Sequence, residues 1–220
     1  MVFNGMARAE GVPIALLCPN KTCQIFGRNY YSAMTKHRFI WILTLACWPA
    51  CVFQLSAQTN VVDPKIIEKV KARAEKGEAE AQDELGYYYA RGIVGKDYAE
   101  AAKWYRKAAE QGHAPAQFHL GDFYTKGKGV TGDPVEAAKW YRKAADQGHS
   151  SGQSLLGSCY ATGRGVSKDL VEAHKWLSLA SAQGDLSAKG ALPALESEMT
   201  GEQIATAKER ARGFKPVKTP

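Results

Sequence analysis

Residues Gly127-Lys128-Gly129-Val130-Thr131-Gly132 match the spacing G-x-G-x-x-G. Between a strand and a helix, that spacing lets backbone amides cradle a diphosphate. Here it follows a helical pattern and not a strand. A related turn, Gly163-Arg164-Gly165-Val166, recurs 36 residues on, so phosphate chemistry is not implied. His113 and His149 could line a metal-binding ridge. Each follows a glycine that ends a helical pattern, so both read as solvated turn residues; His119 and His174 stand alone. No His-Glu-x-x-His occurs, and no Ser is followed three residues later by Lys. The zinc-protease and serine β-lactamase constellations are therefore both missing. Cys159, the one thiol beyond residue 57, reads as a small buried apolar residue. No catalytic set, cofactor site or metal site emerges.

The elements that position these residues come from a repeat. DYAEAAKWYRKAAEQGH at 97–113, DPVEAAKWYRKAADQGH at 133–149 and DLVEAHKWLSLASAQGD at 169–185 place Trp104, Trp140 and Trp176 at steps of 36. Gly112, Gly148 and Gly184 keep that step, which marks a repeat array. Each copy reads as a helix with both ends written in. Asp97, Asp133 and Asp169 are N-caps, with Glu100, Glu136 and Glu172 three residues on as a carboxylate capping box. Pro134 suits the first helical position, and Gly112 the left-handed residue after the end. Between these B helices lie A helices sharing Leu-Gly-x-x-Tyr: Leu85, Gly86, Tyr89; Leu120, Gly121, Tyr124; Leu156, Gly157, Tyr160. A mid-helix glycine costs about 1 kcal/mol against alanine, so close packing against the Trp helix must offset it. Trp140 is expected to be buried between its own A helix and the next repeat. Stacked A–B pairs make an α-solenoid.

The pattern A-x-x-x-L-G-x-x-Y-x-x-G-x-G-V, then D-x-x-E-A-x-K-W, then A-x-x-G, resembles the Sel-one-like repeat (SLR), a relative of the tetratricopeptide repeat with a slightly longer period. The match runs from Ala79 to Gln183, with one loop residue missing in the first copy. The resemblance implies an all-α, right-handed α-solenoid of antiparallel helix pairs: about three full repeats with capping helices at both ends. Its expected role is a non-catalytic scaffold that binds a partner protein or peptide on a concave A-helix face. Some cysteine-rich bacterial SLR proteins are associated with β-lactam binding or hydrolysis, which gives an alternative reading. Those carry a cysteine pair in each repeat, and this chain has none.

The rest of the chain divides around the array. Residues 1–33 show no periodicity and read as a mis-assigned extension before Met34, or else a disordered leader. Residues 34–57 have the order of a secretory signal: Lys36, His37 and Arg38, the apolar run Phe39–Phe53, then Leu55-Ser56-Ala57 before Gln58. The apolar run is short for a membrane span, so contact with the membrane is expected only through an uncleaved signal. Export to the periplasm or beyond follows; the flanks of Cys47 and Cys51 match a lipobox poorly. Residues 58–78 read as a lysine-rich N-terminal cap. Repeats then occupy 79–114, 115–149 and 150–185. Residues 186–213 read as C-terminal capping helices, with a kink or late start at Gly190 and Pro193 and a capping box at Thr200 and Gln203. Residues 214–220 are expected to fray.

The formal charge is +7, but residues 1–57 hold five basic residues against one acidic, which leaves 24 basic and 21 acidic beyond them. That is no nucleic-acid footprint, and no small-molecule substrate is indicated. For the partner-binding face, the informative positions are those that vary between repeats. Asp83, Phe118 and Ser154 share one A-helix position; Tyr87, Asp122 and Ser158 share the position one turn on. Repeat-invariant positions hold an array together, so these six are read as the partner-contacting set. Phe118 and Tyr87 are expected to be exposed aromatics on the concave side, of the kind that anchors interfaces.

Overall fold

The chain divides into two units, 1–59 and 60–220. The computed structural model describes residues 62–217, all in the second. The expected leader, signal segment and cleavage site lie outside the described residues. Among these, every regular element is a helix: α1 (Pro64–Glu75), α2 (Ala79–Arg91), α3 (Tyr98–Glu110), α4 (Ala114–Lys126), α5 (Pro134–Asp146), α6 (Ser150–Thr162), α7 (Leu170–Ala182), α8 (Leu186–Ser197) and α9 (Gly201–Arg212). Each helix from α1 to α7 packs against the next, and α9 returns onto α7. The fold is an all-α solenoid. None of these helices is long and apolar enough to cross a membrane.

The B helices α3, α5 and α7 start alike. The Asp97, Asp133 and Asp169 carboxylates each accept from the amides two and three residues on, at 2.8–3.1 Å. The glutamates at the third position turn elsewhere: Glu100 and Glu136 pair with Lys103 and Lys139. A reciprocal capping box forms at Thr200 and Gln203. The B helices α3 and α5 end in the paired bonds of a Schellman motif. The Gly112 amide donates to the Ala109 carbonyl at 3.1 Å, and the His113 amide to the Ala108 carbonyl at 3.1 Å.

The A-helix glycines lie where two helices nearly touch. A Cβ on Gly86 would stand 2.8 Å from Tyr105 Cδ1, one on Gly121 2.7 Å from Tyr141 Cδ1, and one on Gly157 2.8 Å from Leu177 Cγ. The close packing read from the sequence is present, but its partner is the residue after the tryptophan. Tyr105 and Tyr141 are each 2% exposed, whereas Trp104 and Trp140 are half-buried. Lys107 Nζ lies 4.0 Å from the Trp104 ring centroid and Lys143 Nζ 3.9 Å from that of Trp140. The expected burial of Trp140 is thus corrected: the tryptophan lies on the outer edge of the apolar arc beneath a lysine, and the tyrosine points inward.

A ladder of buried glutamines ties successive repeats together. Gln82, Gln117 and Gln153 donate to the Ala74, Ala109 and Ala145 carbonyls at 3.1–3.2 Å. Each also accepts from the glutamine ending the following B helix, Gln111, Gln147 or Gln183, at 2.7–2.8 Å. Burial is tolerable there because both ends of each amide find partners.

The C-terminal segment departs from expectation twice. Helix α8 starts at Leu186 without delay, capped by Asp185, and Pro193 sits inside it. Residues 214–217 are not frayed. Phe214 stands edge-on to Trp176 at 5.4 Å, and the Val217 amide donates to the Asp146 carbonyl at 2.8 Å. Trp176 is 1% exposed, unlike its two counterparts, because this tail covers it and Leu179 replaces the lysine of the other repeats.

Candidate functional site: the A-helix face

The two variable rows have different surroundings. In the first, each residue meets the residue that precedes the next A helix. Asp83 Oδ2 lies 3.8 Å from His113 Nε2, the Phe118 ring 5.2 Å from that of His149, and Ser154 Oγ donates to Asp185 Oδ1 at 3.2 Å. One ionisable pair, one ring stack and one polar bond occupy equivalent places. Ser154 is buried, and Asp83 and Phe118 are half-buried. Phe118 also packs on His119 at 5.2 Å and Tyr141 at 6.3 Å, so it is not the exposed aromatic expected of it. This row joins repeat to repeat.

The second row is more open. Tyr87 is 40% exposed with the Arg91 guanidinium 5.3 Å from its ring, and Ser158 is exposed. Asp122 is half-buried and pairs with Lys126 at 2.7 Å. The invariant Leu85, Leu120 and Leu156 beside them are fully buried. Tyr89, Tyr124 and Tyr160 are half-buried; Arg106 donates to the Tyr124 hydroxyl, and the Arg142 guanidinium lies 5.3 Å from the Tyr160 ring centroid and 5.7 Å from that of Trp176.

The histidines are not solvated turn residues. His113 and His149 are half-buried N-caps, and His149 Nδ1 accepts from the Gly152 amide at 3.1 Å. His119 stacks on Tyr105 at 4.9 Å. His174 stands where the other B helices carry Ala102 and Ala138. It is 1% exposed, with Nε2 2.7 Å from Glu196 and Nδ1 3.1 Å from Ser178 Oγ. No group of three or more His, Cys, Asp or Glu side chains is placed to hold a metal among the described residues. Cys159 is half-buried, and burial pushes its thiol upward, away from the reactive thiolate.

Burial holds His119 and His149 below the ordinary imidazole value of 6.5; for His119, nearby Asp83 and Asp122 oppose the shift without cancelling it. A depressed histidine favours the folded state while neutral. Its contribution is therefore complete above the unfolded value near 6.5 and is lost as the pH falls from there towards the folded value. Wild-type protein is expected to be less resistant to urea at pH 5.5 than at pH 7.5. His119→Leu, which copies Leu155 of the next repeat, reduces that difference. An unchanged pH dependence in the variant contradicts this assignment.

Three consecutive copies of the Sel1 repeat family model match residues 79–113, 114–149 and 150–185. Among solved structures, the chain is similar to a protective antigen of uropathogenic Escherichia coli strains that displays an SLR fold. Identity is 36% and the TM-score 0.65, over 70% of this chain and 33% of that one. It is also similar to a Sel1 repeat protein from Oxalobacter formigenes, at 38% identity and a TM-score of 0.55, over 59% of this chain and 98% of that one. The chain thus spans about a third of the antigen's length and nearly all of the Oxalobacter protein's. No curated protein matches it.

Proposed function

The chain belongs to the Sel1 repeat family, and we propose that it is a non-catalytic scaffold that binds a partner protein or peptide along its A-helix face. One observation carries the reading: Tyr87, Asp122 and Ser158 keep three different chemistries open or half-open to solvent at one repeated position, while the positions around them are consumed by packing. An array can vary such a row without loss of stability, so it is where partner recognition can be written. The first row, Asp83, Phe118 and Ser154, supports it from below. The test is site-specific photo-crosslinking in the native host, with a benzophenone amino acid at Ser158 or, on the B-helix face, at Lys139. A discrete adduct from position 158 and none from position 139 is the expected result; adducts from position 139 alone overturn the reading.

We further propose that the protein is exported. The support is the basic, apolar and small-residue order of residues 36–57, which lie outside the described residues. The mature chain then begins near Gln58, a mass measurable on the exported species. Retention of Phe39–Phe53 in that species contradicts cleavage.

A further inference from the structure

The filling of the space between one A–B pair and the next changes along the array. Between repeats one and two, Phe123 of α4 stands edge-on to Tyr98 at 6.0 Å and to Tyr105 at 5.2 Å. Lys128 Nζ lies 5.3 Å from the Tyr98 ring centroid. Between repeat three and α8, the same two positions are Leu195 and Leu170, packed in one cluster with Leu195 6% exposed. Between repeats two and three they are Cys159 and Pro134. Two rings fill the space in one direction and two leucines in the other, but here there is only a thiol and a pyrrolidine. An open cavity of about 460 Å³ results, lined by Thr125, Tyr141, Leu155, Ser158, Cys159 and Arg164 among others. That volume falls in the range of ligand-binding clefts, about 300–1,000 Å³.

The walls indicate what fits. Tyr141 takes the place of Tyr105, the residue that meets the Phe123 ring edge-on in the filled junction. Arg164 takes the place of Lys128, the cation over a ring there, and its Nη2 donates to the Thr125 carbonyl at 3.4 Å. A guanidinium both stacks on an aromatic face and binds a carboxylate with two parallel bonds. Ser158 belongs at once to this lining and to the open row of the A-helix face.

We propose that this cavity, left open by Cys159 and Pro134, receives an aromatic side chain of a bound peptide, with a carboxylate beside that ring meeting Arg164. The inference rests on the scaffold reading and identifies the anchor such a partner carries. The ring enters where Phe123 sits one repeat earlier, against Tyr141 and Leu155.

The probe is Nα-acetylphenylalanine, titrated into the full chain and followed by the amide resonances of Leu155, Ser158, Cys159 and Thr162. Its primary amide and Nα-acetylalanine are the comparisons. The expected result is saturable shifts with the acid, weaker binding of the amide, and none with acetylalanine. Cys159→Phe supplies the missing ring from within and weakens the probe by about tenfold or more. Arg164→Gln, at an exposed position, abolishes the preference for acid over amide. Equal responses to acetylalanine, unaltered binding by Cys159→Phe, or an acid preference that survives Arg164→Gln overturns the proposal. The titration involves no partner protein. Failure of the pocket is thus scored separately from failure of the scaffold reading, which the crosslinks at Ser158 and Lys139 decide.

Discussion

Gly129→Ala is expected to lower the free energy of unfolding by about 2–5 kcal/mol. Gly129 has φ +66, and a Cβ there would lie 2.1 Å from the Tyr98 carbonyl oxygen of the preceding repeat. The left-handed conformation alone costs a side chain about 1–2 kcal/mol, and the overlap with backbone adds about 1–3 kcal/mol, because a carbonyl at a helix start cannot rotate away. Gly165 repeats the arrangement against the Pro134 carbonyl, at 2.0 Å. Gly184 is the internal control, with φ +91 and nothing within 4 Å of a Cβ. Gly184→Ala therefore carries the conformational cost only. Urea unfolding compares the two, and equal losses would refute the loop-on-helix contact. The same contact explains G-x-G-V: the second glycine lets one repeat's loop abut the previous B helix.

The second large effect separates two adjacent aromatic residues. Tyr141→Ala removes a ring that is 2% exposed, closes on Gly121 and bonds through its hydroxyl to Thr125 Oγ1 at 2.9 Å. A truncation of that kind costs about 3–5 kcal/mol. Trp140→Ala removes a larger but half-buried side chain whose face is covered by Lys143, and costs roughly 1–2 kcal/mol. Unfolding midpoints in denaturant give the comparison, and a greater loss for Trp140→Ala would place the wrong aromatic at the helix contact.

The fold was legible because repeats print the same physics three times. The aspartate caps, the helix-ending glycines and Leu-Gly-x-x-Tyr needed only the repeat step of 35 or 36 residues. The choice between Trp140 and Tyr141 was not legible. Neighbours on a helix point about 100° apart, both lie in the apolar arc, and the angle of the facing helix decides which turns inward. The glutamine ladder was visible as Gln82, Gln117 and Gln153 at the repeat step, but polar residues suggest solvent until their partners are known. The six variable positions lie on the A helices, yet half of them do internal work. Asp83–His113, Phe118–His149 and Ser154–Asp185 pair residues about thirty apart, and comparing repeats position by position does not show that one varies against the other. The Phe214 contact had only a single aromatic in a short tail as its signal. Cys159 was read as a small buried apolar residue. Its meaning depends on Pro134 across the junction, which shrank at the same step.

The division of the A-helix face into a row that joins repeats and a row that stays open is tested most directly by comparing Phe118→Ala with Tyr87→Ala in equilibrium urea unfolding. Both remove one aromatic ring from neighbouring variable positions. Phe118→Ala is expected to cost roughly 2–3 kcal/mol, because its ring packs on His119, Tyr141 and His149. Tyr87→Ala is expected to stay within about 0.5 kcal/mol of wild type, as open surface positions do. Equal losses, or a greater loss for Tyr87→Ala, would contradict the division and with it the assignment of the binding row.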